Sequence, residues 1–126
     1  MRTLIYICVI TATIITLGLI TINMLENDSE NLSNLIMKIE NEVMSGNWEE
    51  AGIIEKQLKD QWNKYEKKWP VIIDHMEVDN ISLHLSELGV YLANKDSILA
   101  SAELSVLKLL VRNIPKREHV IIQNIF

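Results

Sequence analysis

From Thr3 to Leu25 the chain carries no charged side chain, although all 17 of its acids and 11 of its 12 bases lie beyond that run. Thirteen of these 23 residues are Ile, Val or Thr, the types that favour strands in water. Length decides otherwise. As a helix the run extends about 34 Å at 1.5 Å per residue, enough to cross a hydrocarbon core of about 30 Å, and a lone segment in lipid must close its backbone hydrogen bonds internally. Residues 1–25 therefore read as a transmembrane helix. A cleaved secretory signal is the rival, with Thr16-Leu17-Gly18 as a marginal small-x-small site. Against it, apolar sequence continues to Leu25 and no Ala-x-Ala occurs, so the segment is expected to stay as an uncleaved anchor. Cys8, inside the span, reads as an apolar-like packing residue.

Arg2 precedes the span, whereas Glu26, Asp28 and Glu30 follow it and no further base occurs before Lys38. The positive-inside bias then puts the N-terminus in the cytoplasm and residues 26–126 outside the cell membrane. Those residues hold eleven bases and seventeen acids, a charge of −6, which excludes a general nucleic-acid binder.

Four helical patterns follow the span. In the first, Asn27 and Glu30 have capping-box spacing, and Leu32, Leu35, Ile36, Ile39 and Val43 share one face. Ser45-Gly46-Asn47 stops it, Gly46 suiting a left-handed cap, and Asn47 and Glu50 repeat the capping-box spacing. The second helix presents Trp48, Ala51, Ile54, Leu58, Trp62, Tyr65 and Trp69 on one side and ends at Pro70, leaving a turn or a kink there. The third, about Pro70 to Leu92, has two apolar stripes, Val71, Val78, Ile81, Leu85, Leu88 and Leu92 against Ile72, Met76, Leu83 and Val90. The fourth runs from about Asp96 to Asn113, with Ile98, Leu99, Ala102, Val106, Leu107, Leu109 and Leu110 as its apolar arc and Pro115 after its end. A faint echo links the two hairpin turns, Gly46 to Ala51 and Lys95 to Ala100. Short connections between long helices give antiparallel neighbours. The expected fold is all-α: a transmembrane helix (1–25), an up-down bundle of about four helices in two hairpins (26–114), and an apolar tail (115–126) holding Val120, Ile121, Ile122, Ile125 and Phe126.

Over its full length the chain resembles a known bacterial family. The residues that carry the resemblance are Asn47-Trp48-Glu49-Glu50-Ala51, Trp69, the run Ile72 to Ile81 with its Ile-Asp-His-x-Glu-x-Asp-Asn pattern, Ala102-Glu103-Leu104 and the closing Asn124-Ile125-Phe126. The family is that of domain of unknown function 4363, and Pro70 departs from its pattern. The resemblance implies a small membrane-associated protein of Gram-positive endospore-formers and carries no activity with it.

Chemistry-bearing residues are few. His75 and Asp79 are i, i+4 neighbours with Asp74 adjacent, spacing that serves either a carboxylate–imidazole pair or two metal ligands. His84 lies about 180° round the helix from His75 and His119 lies in the tail, so a third ligand is not in view. The plainer reading makes Asp74, His75 and Asp79 a hydrogen-bonded polar seam between the stripes, with Ser82, Ser86 and Gly89. Glu103, inside the apolar arc of the fourth helix, reads as a buried structural acid opposite Ser86 or Ser82. No nucleophile elbow, phosphate loop, HExxH or CxxC is present. Following the chain up and down places Lys64, Lys67, Lys68, Trp69, Lys116 and Arg117 near the membrane as candidate headgroup contacts. It puts Glu42, Glu49, Glu50 and Asp96 at the far end. The expected role is structural or protein-binding, with a membrane span and a protein partner, no catalysis, no cofactor and no metal. A sensor-input module working with a membrane partner is the second reading, and a metal-dependent hydrolase using Asp74, His75 and Asp79 the third.

Overall fold

The computed structural model describes residues 1–125, apart from the side chains of Ile122 and Ile125. It contains four α-helices and, among the described residues, no strand: α1 (Arg2–Ser45), α2 (Trp48–Tyr65), α3 (His75–Ala93) and α4 (Ser97–Ile125), with a short 3₁₀ helix at Trp69–Val71 between α2 and α3. α1 packs on α2 and α4, and α3 packs on α4 and more thinly on α2, so the four helices form the two-hairpin up-down arrangement.

α1 is one helix of 44 residues with no break at the end of the uncharged run. The capping box expected at Asn27 does not form, because Asn27 sits exposed in mid-helix and its N–H is already used by the turn before it. The helix changes surroundings instead of conformation. Residues 1–17 are exposed throughout, Gly18 and Thr21 are half-buried, and Ile22 and Leu25 are buried. From there Leu32, Ile36, Ile39 and Val43 continue the buried stripe on a 3.6-residue period. Four of the five residues of the expected face are thus buried, Leu35 being half-buried, and the bundle begins inside the apolar run, at Ile22.

Gly46 ends α1 with φ +76° and ψ 14°, and its N–H and that of Asn47 reach back to the carbonyls of Val43 and Glu42. That is the left-handed cap a glycine adopts without steric cost. Lys95 takes the same left-handed sign, φ 53°, at the other distal turn, which gives the sequence echo a backbone counterpart. The Asn47–Glu50 capping box is absent: the Asn47 amide donates to Glu42 Oε2 at 2.9 Å and caps nothing.

The second junction differs from expectation. α2 stops at Tyr65, four residues before Trp69, and Pro70 lies inside the 3₁₀ turn rather than opening α3. α3 starts at His75 because Asp74 caps it, its Oδ1 accepting from Met76 N–H at 2.9 Å. Only one stripe of α3 is buried (Val78, Ile81, Leu85, Leu88 and Leu92); Met76, Leu83 and Val90 of the other are exposed. Gly89 faces α2, where a Cβ would lie 2.7 Å from Lys59 Nζ, so the absent side chain makes room for the Lys59–Glu55 ion pair.

α4 also departs from expectation, since it does not end near Asn113 but continues through Pro115 to Ile125. Its buried stripe is Ala100, Leu104, Leu107, Val111 and Ile114, whereas Ile98, Leu99, Val106 and Leu109 of the expected arc are exposed. Lys108 reaches across to Glu40 on α1 at 2.9 Å. Phe126 and the side chains of Ile122 and Ile125, part of the expected apolar tail, lie outside the described residues.

Candidate functional site

Two polar clusters interrupt this apolar core. The first lies at the base of the bundle, the end from which the apolar half of α1 projects. A proline inside a helix supplies no N–H, so the carbonyl four residues earlier loses its partner. In α4 that carbonyl belongs to Val111, and Ser29 of α1 donates its hydroxyl to it at 2.7 Å. The preceding residue, Asp28, accepts from the Trp69 indole N–H at 3.1 Å and pairs with Lys68 Nζ at 3.0 Å, both on Oδ2.

Trp69 is fully buried, edge-on to Trp62 (centroids 5.3 Å, planes at 89°) and stacked with Tyr65 (6.0 Å, 5°). Each of these three rings has its polar handle satisfied. Trp62 donates to Ser82 Oγ at 2.8 Å, Ser82 in turn donates to Glu66, and Tyr65 OH accepts from Asn31 at 3.3 Å. Lys68 Nζ also lies 4.8 Å from the Tyr65 ring centroid, a cation–π distance. The aromatic knot therefore fastens the α2–α3 junction onto α1.

This arrangement redistributes the residues expected at headgroups. Trp69 is core, not surface; Lys68 is engaged by Asp28; and Arg117 pairs with Glu77. Lys64, Lys67 and Lys116 are exposed and have no ion-pair partner among the described residues. Acids share the same end. His119 Nε2 lies 2.8 Å from Glu26, and burial together with the negative charge of Glu77 raises the Glu118 carboxyl above its ordinary range. On the last turns of α4 Val120 and Ile121 are exposed and line, with Asn113, Lys116 and Arg117 of the same helix, a shallow groove.

The second cluster joins α3 to α4. Glu103 is buried at 8% exposure, with its Oε1 against Nδ1 of His84, and Glu87 Oε2 is 3.4 Å from the same nitrogen. The seam expected from His75 and Asp79 does not exist, because both are exposed and Asp74 spends its carboxylate on the α3 cap. The face of α3 turned to α4 carries His84 instead. Its partner was within reach of sequence reasoning: His84 and Glu103 stand ten and nine residues either side of Asn94, so an antiparallel hairpin sets them level. Asp28 and Ser29 were missed for a different reason. They fall on the buried stripe between Leu25 and Leu32, a stripe recognisable only if the helix is carried across the end of the uncharged run.

The family described as domain of unknown function (DUF4363) matches residues 19–125. The chain belongs to that family. No curated protein and no solved structure matches it. The matched region starts beside Gly18, where α1 first meets the bundle, so it comprises the packed helices and leaves out most of the exposed apolar half.

Proposed function

We propose that this DUF4363 protein is a single-pass membrane protein whose helical bundle stands outside the cytoplasm and serves a structural or protein-binding role without catalysis. The observation that carries the reading is the first half of α1. Its apolar window has mean hydropathy 2.4 and is 6% buried, which is the reverse of a core helix in a water-soluble bundle. About twenty residues precede Ile22, and at 1.5 Å each they match a hydrocarbon core of about 30 Å. The half-burial of Gly18 and Thr21 favours an anchor over a cleaved leader, since the bundle's contacts begin at the marginal site itself.

Support for a binding role comes from the apolar side chains left outside the core. Leu83 and Val90 of α3, each 55% exposed, and Ile98 and Leu109 of α4 add apolar surface to helices whose other stripe is already satisfied. Exposed apolar surface of this kind marks sites of association. The α4 tail, with Val120 and Ile121 exposed, suits shallow insertion at the interface, and Lys64, Lys67 and Lys116 suit anionic headgroups.

A reporter active only outside the cytoplasm, fused after Phe126, should be active, and the protein should keep its full mass in alkali-washed membranes. An inactive fusion reverses the orientation, and a shortened soluble product removes the anchor. The sensor-input reading is favoured by one feature, the unbroken course of α1 from residue 2 to residue 45. It needs a partner within the membrane. Cross-linking in native membranes that recovers none would eliminate it.

A further inference from the structure

We propose that His84, Glu87 and Glu103 form a site for a divalent transition cation, Zn²⁺ being the best fit, that clips α3 to α4. The three residues offer one ligand atom each, and those atoms lie within 4.8 Å of one another. Ligands 2.0–2.2 Å from a metal stand about 3.4 Å apart in tetrahedral geometry, which is the distance between Glu87 Oε2 and His84 Nδ1, and rotation of the Glu103 side chain, now closer to that nitrogen, completes the spacing. His84 and Glu87 are i, i+3 neighbours on one face of α3, and Glu103 meets them from α4.

Charge suits a divalent cation: two carboxylates converge on one point between α3 and α4, and a divalent ion cancels the charge they carry. Both carboxylates also converge on the same nitrogen: Glu103 Oε1 contacts Nδ1, and Glu87 Oε2 is 3.4 Å from it. One N–H makes one good hydrogen bond, so one of the two oxygens would be left without it; a metal accepts all three donors at once. Glu103 adds the stability argument. It is buried among Ala100, Leu104 and Leu107, where an ionised carboxylate is costly unless a cation balances it. Imidazole nitrogen with two carboxylates is a donor set for zinc and its neighbours in the first transition row rather than for the all-oxygen shell of calcium or magnesium. Glu87 is the exposed member, 42% at its side chain, and leaves a water-accessible position. Because one ligand comes from α4 and two from α3, a bound ion ties the hairpin well below its turn.

The full chain in detergent micelles, stripped with chelator and titrated with Zn²⁺, tests this. Expected are one ion per chain, a Co²⁺-substituted form with the visible absorption of low-coordinate nitrogen–oxygen ligation, and a folding equilibrium constant that rises about 100-fold when free Zn²⁺ is 100 times its Kd. His84→Gln and Glu87→Gln, both outside the buried core, should fold and each weaken binding by on the order of tenfold or more. His75→Gln, on the exposed start of the same helix, should bind as the wild type does. Uptake well below one ion per chain, uptake unaltered in both His84→Gln and Glu87→Gln, or equal weakening by His75→Gln would overturn the proposal, as would binding that leaves the unfolding midpoint unmoved.

Discussion

Replacing Ser29 by alanine removes one hydroxyl and leaves one backbone carbonyl unpaired. The carbonyl is that of Val111, which has no helical donor because Pro115 stands four residues on, and both Ser29 and Val111 are buried. Ser29 and Pro115 also line an open groove between α1 and α4, so water reaches part of the site and the cost falls at the lower end of the usual range, about 1–2 kcal/mol. The reasoning makes a sharper demand than a simple loss. Pro115→Ala restores an N–H that can bond Val111 within α4, and it removes a residue about 3 kcal/mol less favourable than alanine in a helix interior. That variant should therefore be stabilised. In its background Ser29→Ala should cost under about 0.5 kcal/mol, because the carbonyl then has its own helical partner. The two substitutions are thus coupled by about 1–2 kcal/mol, well above the few tenths expected of independent sites. Urea unfolding of the full chain in micelles, followed by tryptophan fluorescence, measures all four corners of the cycle, since Trp62 and Trp69 are buried next to this region. An equal cost for Ser29→Ala with and without Pro115 would show that the hydroxyl is not there to serve the proline.

Asp28→Ala should cost about 1–3 kcal/mol by leaving the Trp69 indole N–H unpaired in the core, and Asp28→Asn less, since an amide oxygen still accepts. Lys68 adds little to that sum because its side chain is 42% exposed, so equal losses in the two variants would contradict the indole as the main partner. Glu118→Gln should stabilise the protein at pH 7 and not at pH 4. Burial, then Glu77, raise the folded carboxyl above 4.5, so the folded state holds the proton at pH values where the unfolded chain has released it. Stability conferred by that proton is present at low pH and is lost as pH rises through the raised value. Thermal unfolding of both proteins at the two pH values, with an equal difference at each, would refute the assignment.

The up-down bundle of four, the all-α class and the distal turn at Gly46 were legible because they rest on local rules: a 3.6-residue period, a glycine at a left-handed cap, short connections. What misled was punctuation. Asn27 looked like a helix start and Pro115 like a helix stop, yet each sits within a continuous helix, since α1 has apolar partners on both sides of Asn27 and Ser29 compensates the proline. Propensity yields to tertiary contacts in both places. The polar residues misled for a related reason. Asp74, His75 and Asp79 form the most distinctive run in the sequence, but the distinctive spacing lies at a helix N-terminus, where Asp74 caps and the others face outward. His84 looked isolated because its partners, Glu87 and Glu103, are respectively on an exposed turn and on another helix. The i, i+3 spacing of His84 and Glu87 is local, but Glu103 joins them only through the register of the α3–α4 hairpin.

The base of the bundle bears on the choice between a rigid support and a signalling element. α1 is held there on two sides: Asp28 is tied to the aromatic knot at the α2–α3 junction, and Ser29, 100° round the helix, to α4. Turning α1 by even a third of a turn would break both bonds and expose a buried carboxylate, a serine and an unpaired carbonyl together. One turn below, Ile22 and Leu25 are buried as well, so sliding the helix along its axis would uncover apolar surface without offering a new register. A signalling helix needs two arrangements of similar energy. The contacts around residues 22–29 provide for one, and that argues for a bundle set rigidly on its apolar stem.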